Sequence, residues 1–308
     1  MKKLSFKTLI VLFVLVFSMA ALFSACGDTA TSDDSSEPTP TAASDASGST
    51  DSTLSGTVSV IGSTSVGPLA EELAQAFEDK NPDVQVDVQA IGSTQGIQAA
   101  NEGTADIGTS SRELKEEEKA YGLDVKTIAI DGIAVVVHPS NKVKDLTAEN
   151  IQKIFKGEIT NWKDVGGDDK PIQLVIRESG SGTRGAFEEL LELEEKQSDG
   201  TKKSLVKEEG SIVANKNGEV KTNVSTKENS IGYISMGIVD NTVQAVKVDG
   251  VDASVENIKN KTYSLWRPFI MVTKGEPKAP AKAYLDFILS DEGQEIVKKS
   301  FISYKAME

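Results

Sequence analysis

The stretch 174–191, LVIRESGSGTRGAFEELL, carries the residue types and the spacing to hold an anion. Leu174, Val175 and Ile176 form an apolar run of strand type, with Arg177 where it ends. Gly180, Ser181, Gly182 and Thr183 break the chain, and Ala186, Phe187, Leu190 and Leu191 then recur at helical spacing. A turn that opens a helix leaves its first N–H groups without intrahelical partners, beside the positive end of the helix dipole. Glycine lets backbone approach a ligand, Ser181 and Thr183 add hydroxyl donors, and Arg177 adds a fixed charge. Together these residues predict an anion receptor. The plainer alternative is a helix cap, since serine and threonine are ordinary N-cap residues. Two further turns in matching contexts, GSTSVG at 62–67 and GSTQG at 92–96, favour the receptor.

Other chemistries fit these residues poorly. Gly180 and Gly185 satisfy the first half of a P-loop, but Ala186 and Phe187 follow where a nucleotide site needs Lys and then Ser or Thr. A serine hydrolase would want G-x-S-x-G, whereas Ser181 lies in S-G-S-G-T. His138 is the only histidine, stands before Pro139 with no nucleophile paired to it, and reads as structural or solvent-exposed. Trp162 and Trp266 could be stacking platforms for a sugar; with 6% aromatic residues in the chain, packing is the simpler reading. The acidic runs 116–118 and 188–195 read as solvated helix faces. No catalytic residue, metal site or cofactor is expected.

The elements that position the turns alternate strand and helix. From residue 57 the pattern predicts a strand at 58–61, a helix at 68–79, a strand at 84–91, helix at 97–101, a short strand at 105–108 ending in TSSR, and a charged helix at 113–120. Three units of strand, Gly/Ser turn and helix imply a mostly parallel sheet, with ligand groups at the carboxyl ends of its strands. The apolar run 127–139 is long enough to cross between two lobes, and 268–272 is a second candidate crossing. Between them, Thr147 with Asn150 marks a helix start whose core face is Ile151, Ile154 and Phe155. Residues 196–207 read as an exposed excursion, 231–236 and 243–248 as strands, and 281–289 and 292–299 as closing helices.

The N-terminal region is an address. Lys2, Lys3 and Lys7 precede the apolar run 9–25, which is at the short limit for spanning a bilayer and ends in small residues, so 1–25 reads as a secretory signal peptide and not a span. Cys26 is the only cysteine, which excludes an internal disulfide. Residues 27–53, rich in Ser, Thr, Asp, Ala and Pro without periodicity, read as a solvated tether. The formal net charge of −14 argues against nucleic acid or an anionic membrane surface as a partner. It does not exclude a dehydrated small anion, which responds to local N–H groups and hydroxyls more than to a screened surface field.

The order GSTSVGP, IGSTQG, TADIGTSSREL, KIFKGEITNW, RESGSGTRGAF resembles the PstS family, the phosphate-binding lipoproteins of bacterial phosphate ABC importers. FSAC at 23–26 is similar to a lipobox, with Phe23 where leucine is usual; the resemblance implies that Cys26 is lipidated, with simple cleavage as the alternative. It further implies a two-lobe periplasmic-binding-protein (type II) α/β fold with a hinge. Its expected parts are the signal peptide 1–25, the lipidated cysteine and tether 26–54, lobe I from 55–134 with 267–308, and lobe II from 135–266. One inorganic phosphate is expected between the lobes, with Thr64, Ser65, Ser93, Ser111, Arg177, Ser181, Gly182 and Thr183 as its ligands. The implied partners are the importer's permease subunits and the membrane, through the lipid anchor on the extracytoplasmic face; the protein is expected to be a monomer. One position departs from the family. Well-known members carry an aspartate that accepts the proton of bound phosphate, and Ser111 stands there, followed by Arg112. Glu178, Asp106 and Asp131 are the candidates for a substitute acceptor, and Arg112 either contacts the ligand or pairs with Glu178 or another acid. The departure keeps receptors for sulfate, molybdate or a phosphonate as alternatives. A secreted phosphatase, or a signalling or adhesion lipoprotein of the same fold, is the rival from another class.

Overall fold

The computed structural model describes residues 54–198 and 200–306. The expected signal peptide, Cys26 and the tether up to residue 53 lie outside the described residues. Everything described belongs to one compact unit, Asp51–Glu308.

The elements run β1 (Gly56–Gly62), α1 (Gly67–Glu78), β2 (Val84–Ala90), α2 (Ser93–Glu102), β3 (Ile107–Ser110), α3 (Glu116–Lys119) and the long β4 (Asp124–Val137). Next come β5 (Asp145–Leu146), α4 (Ala148–Lys156), β6 (Gln173–Arg177), α5 (Gly182–Leu190), the hairpin β7 (Glu194–Lys196) and β8 (Lys202–Ser204), β9 (Ile212–Ala214) and α6 (Asn217–Thr226). The chain closes with β10 (Ser230–Ser235), β11 (Gln244–Ala245), β12 (Lys247–Val248), α7 (Val255–Lys259), β13 (Trp266–Thr273), α8 (Ala279–Leu289), α9 (Asp291–Val297) and β14 (Ile302–Ser303). Among these described elements no helix is long and apolar enough to cross a membrane.

The main sheet runs β2-β1-β3-β13-β4-β10-β6-β9, with β11 and β14 also on β4. It is mixed, which corrects the expectation of a mostly parallel sheet. The outer strands are parallel, β1 with β2 and β3, and β6 with β10 and β9, as helical crossovers require. The middle is antiparallel: β13 pairs with β3 and β4, and β10, β11 and β14 pair with β4. The β13–β4 pairing is antiparallel because the two crossing segments lie side by side and run in opposite directions.

Strand β4 holds the fold together. Its Ile128 and Ala129 pack with Val58, Leu73, Phe77 and Tyr284 under α1 and α8. Further on, its Ile133, Val135 and Val137 pack with Ile154, Phe155, Phe187 and Tyr233 in a separate core. One continuous strand thus feeds two cores, a hinge-like arrangement. In the second core Phe187 stacks on Tyr233 with centroids 3.9 Å apart, and Phe155 meets both rings edge-on.

Local expectations fare unevenly. Thr147 caps α4 by accepting from the Asn150 N–H at 3.1 Å, and Ile151, Ile154 and Phe155 are fully buried. Trp162 is buried in the second core, with its indole N–H on the Asn229 carbonyl, and Trp266 packs against it, so both tryptophans are packing residues. His138 stands half-buried with Nδ1 beside the Ser140 hydroxyl at 2.8 Å. The charged helix shrinks to one turn, α2 begins four residues early at Ser93, and the 196–207 excursion contains the β7–β8 hairpin.

Phe187→Ala empties the centre of the second core and should cost about 3–5 kcal/mol in urea unfolding. A loss below about 1 kcal/mol would show that the Tyr233 stack contributes little beyond filling space.

Candidate anion-binding site

Four turns meet where strands end. The first follows β1, and its glycine decides the geometry. Gly62 has φ +152°, and a Cβ there would lie 2.1 Å from the Thr109 carbonyl oxygen, so only glycine fits. Its carbonyl accepts from the N–H groups of Ile91 and Gly92, while Ser63 N–H donates to the Thr109 carbonyl. The turns after β1 and β2 and the end of β3 are therefore one unit. Ser111 N–H donates to Ser93 Oγ at 3.1 Å, and Ser63 Oγ donates to Ser111 Oγ at 2.9 Å.

The fourth turn, from β6 into α5, comes against this unit. Thr94 N–H donates to the Gly180 carbonyl. Gly182 stands so close that a Cβ on it would be 2.1 Å from Ser93 Oγ and 2.7 Å from Ser111 Oγ. Ser181 does cap α5, accepting from Arg184 N–H at 3.2 Å, so the cap and the candidate site coexist. Ser65 Oγ and Thr183 Oγ1 are 2.8 Å apart.

Arg177, 1% exposed, closes the group. Its Nε donates to Glu178 and to the Ala214 carbonyl, and its Nη2 to Glu178, the Asn215 carbonyl and Thr64 Oγ1. Its backbone N–H reaches the Tyr233 hydroxyl, and its carbonyl accepts from Arg184 Nη1. Arg184 is itself saturated by Glu188, Ser204 and Glu208, so the strand end is held from behind. The structure brings together Thr64, Ser65, Ser93, Ser111, Arg177, Ser181, Gly182 and Thr183.

Sequence reasoning missed Ser63, Asn217 and Arg267. Asn217 Oδ1 accepts from Ser235 N–H, which fixes the amide orientation, and its Nδ2 donates to Ser65 Oγ at 2.8 Å and to Thr64 Oγ1 at 3.2 Å. Arg267, 2% exposed, donates to Asp131 from Nε and Nη2 and to Ser65 Oγ from Nη2 at 3.1 Å. Neither has a local signature: Asn217 is the first residue of α6, a helix unmarked in the sequence, and Arg267 reads as one cation in a crossing strand.

Proton counting gives the site its polarity. Ser65 Oγ receives hydrogen bonds from Arg267 and Asn217, so its own proton goes to Thr183 and the Thr183 proton is left to point elsewhere. Thr64 Oγ1 receives two donors and Ser181 Oγ one backbone donor, which leaves both hydroxyl protons available. The Thr64, Ser181 and Thr183 hydroxyls are thus able to act as donors to an added acceptor.

The expected substitute acceptors are all engaged. Both Glu178 oxygens take Arg177, and Asp106 binds Ser59 and Lys278 at the far end of its strand. Asp131 accepts from Ser235 Oγ and Arg267; burial pushes its carboxyl up and the Arg267 guanidinium down, each restrained by the other. Arg112 does not face the site. It forks onto Glu118 with two contacts of 2.7 Å and reaches Thr94 Oγ1. Burial alone would raise Glu118, but the Arg112 fork and the Lys115 N–H outweigh it and hold the carboxyl below its ordinary value. A surface cleft of about 370 Å³ elsewhere is ringed by Glu188, Glu189, Glu192, Glu194, Lys196 and Lys202, four acids to two lysines, and does not suit an anion.

An α/β fold with one strand through two cores and ligand turns at strand ends is that of the periplasmic-binding-protein class, and a family model described as a PBP superfamily domain matches residues 47–292. Phosphate-binding protein PstS of Bacillus subtilis (strain 168) is 32% identical over 297 residues, covering 94% of this chain and 92% of its own. The PstS of Borreliella burgdorferi is 34% identical over 248 residues, 79% of this chain and 88% of its own. A solved structure from Clostridium perfringens, described as a phosphate ABC transporter substrate-binding protein with bound phosphate, is 48% identical, with a TM-score of 0.76, covering 80% of this chain and 99% of that one. The chain belongs to the PstS family of phosphate-binding proteins.

Glu118→Gln should cost about 3 kcal/mol at neutral pH by leaving Arg112 buried without its partner. Because the folded Glu118 titrates below its ordinary value of 4.5, its contribution is present above that value and fades as pH falls through the lowered one. Chemical denaturation at stepped pH should therefore show wild type and variant converging in acid; a constant gap would remove this pair from the acid response. Gly182→Ala should separate the second and fourth turns, raising hydrogen exchange at the Thr94 amide by about tenfold or more, and unchanged exchange would mean that the turns yield without parting.

Proposed function

We propose that this protein is a non-catalytic, extracytoplasmic receptor that captures inorganic phosphate and delivers it to an ABC-type phosphate importer. The observation that carries the reading is the convergence of hydroxyl and N–H donors from four turns around Arg177, whose Nη1 is buried and has no partner among the described residues. A buried guanidinium nitrogen left unpaired is costly, and an oxyanion supplies what it lacks. Thr64, Ser65, Ser93, Ser111, Arg177, Ser181, Gly182 and Thr183 are the proposed ligands. The named relatives and the phosphate-bound structure support phosphate as the anion.

The proposed lobes are 55–134 with 267–308, and 135–266. On that division Ser65 with Thr183, Thr64 with Arg177, and Thr94 with Gly180 are contacts between lobes. An anion touching donors of both lobes binds the closed state better and shifts the population towards it. Lipidation of Cys26 would hold the receptor on the outer face of the membrane, where the tether raises its local concentration near the permease. A monomer suffices for this task.

A second reading, a receptor for another oxyanion such as sulfate, molybdate or a phosphonate, is favoured by one observation. None of the three candidate carboxylates keeps a free oxygen at the site to accept a phosphate proton.

Calorimetric titration of phosphate-stripped protein separates the two readings. Phosphate should bind and keep its heat in excess sulfate, and Arg177→Met should weaken it about 100-fold or more. Sulfate binding with equal affinity would transfer the assignment to the second reading. No heat with any tetrahedral oxyanion would sink both.

A further inference from the structure

The chain has four arginines, and all four are buried: Arg112 at 4%, Arg177 at 1%, Arg184 at 4% and Arg267 at 2% exposure. Each has its own carboxylate: Glu118, Glu178, Glu188 and Asp131 respectively. They differ in what remains unspent. Every guanidinium nitrogen that faces a partner in Arg112 and Arg184 is bound, as a structural ion pair requires. Among the described residues, the buried side-chain polar atoms without a hydrogen-bond partner are Nη1 of Arg177 and Nη1 of Arg267.

The two guanidinia that carry these nitrogens meet at one turn. Arg177 Nη2 donates to Thr64 and Arg267 Nη2 to Ser65, adjacent residues of one turn that Asn217 also bridges. The guanidinia are close enough for the charge of Arg177 to disfavour the charge on Arg267. Each guanidinium has its counter-charge in its own carboxylate, but each also keeps a buried N–H without a partner among the described residues, and an oxyanion joining the two would satisfy both. Arg267 comes from the crossing strand β13, so it approaches from neither the Ser/Gly turns nor α5.

We infer that Arg267 is a second guanidinium ligand of the bound oxyanion, held in place by Asp131, and that the site takes its anion between two arginines. This inference rests on the phosphate reading above and adds to it a contact made by the hinge-like strand pair. Two cations facing the ligand with no acceptor carboxylate suit a doubly charged tetrahedral oxyanion better than a singly charged one. The same arrangement explains how Ser111 can occupy the aspartate position: attraction by the second arginine replaces a single proton-accepting bond.

The test uses the full folded protein stripped of phosphate, with inorganic phosphate as the probe. Arg267→Met alone would bury Asp131 unpaired, so the paired variant Asp131→Asn/Arg267→Met, which removes both charges, is measured beside it. If the paired variant keeps its thermal midpoint and weakens phosphate about 30- to 100-fold, the inference is supported. Wild-type protein with labelled arginine supplies an arm free of substitutions. Phosphate should move the Arg267 Nη proton and nitrogen resonances together with those of Arg177, while those of Arg184 stay within line width. Where the paired variant does not fold, this arm decides alone. Unmoved Arg267 resonances, or a folded paired variant with wild-type affinity while Arg177→Met loses binding, overturns the inference and leaves the phosphate reading standing. Failure of the wild type to bind phosphate overturns that reading itself, and the inference with it.

Discussion

The structure depends on how it buries positive charge. A guanidinium taken out of water loses strong hydration, and in a protein interior the loss amounts to several kcal/mol unless bonds replace it. This chain does so four times and places the acids accordingly. Glu118 is three residues after Lys115, whose N–H helps hold it; Glu188 follows Arg184 at i+4; Glu178 is adjacent to Arg177; and Asp131 reaches across two antiparallel strands, where it is paired in register with Arg267. Each pair also secures a turn. Arg112 ties α3 to Thr94 at the start of α2, Arg184 ties α5 to the end of β6, and Arg267 ties β13 to the first turn. The candidate anion site is thus built from the same ion pairs that stabilise the surrounding loops.

This explains why an acidic protein can be read as an anion receptor. The net charge of −14 belongs mostly to exposed carboxylates, many in surface pairs with lysine such as Lys80 with Glu292 or Lys282 with Asp286. Such pairs are worth about 0–1 kcal/mol and are screened beyond roughly 8–10 Å at ordinary salt. All the arginines lie inside, where screening is weak. The two cation types are divided by function: lysine keeps the surface solvated, and the planar fork of arginine is kept for dry bidentate contacts.

Much of the site was legible because it is built from short local motifs. Glycines, hydroxyl residues and a helix start are contiguous in 180–183, so Ser181, Gly182 and Thr183 stand out as candidates from the residues themselves, whereas Thr64, Ser65 and Ser93 follow from the family resemblance of the turns GSTSVGP and IGSTQG. The strands β1, β2, β4, β6 and β13 and the helices α1, α4, α8 and α9 were legible for a similar reason, since their apolar periodicity is local. What was not legible is non-local. Strand direction in the sheet centre follows from how two crossing segments lie beside each other, and alternating strand and helix symbols carry no information on that. Helix α6 has weak apolar periodicity, so Asn217 had no visible context. Arg112 and Arg267 are each one cation in an ordinary stretch. Only the partner, Glu118 in one case and Asp131 with Ser65 in the other, distinguishes the structural arginine from the one at the site.

Selectivity in such a site must come from counting protons, because tetrahedral oxyanions are close in size. A receptor with an acceptor carboxylate rejects a fully deprotonated anion by repulsion. Here the network runs the other way: Asn217 and Arg267 saturate Ser65 as an acceptor, Ser65 donates to Thr183, and Ser63 donates to Ser111, so the polarity is imposed from behind the group. Ser111 and Ser93, whose mutual contact is long at 3.5 Å and can run in either direction, retain freedom to turn an oxygen lone pair inwards, and Thr183 and Ser181, with one accepted bond each, keep a lone pair as well. An acceptor for a phosphate proton in this group is therefore a hydroxyl oxygen. Such an acceptor is neutral, so it binds the proton more weakly than a carboxylate would, and it also repels a deprotonated anion less. On the proposed phosphate reading, such an arrangement would trade some rejection of sulfate for not placing a third carboxylate among buried arginines whose charges Glu178 and Asp131 already balance.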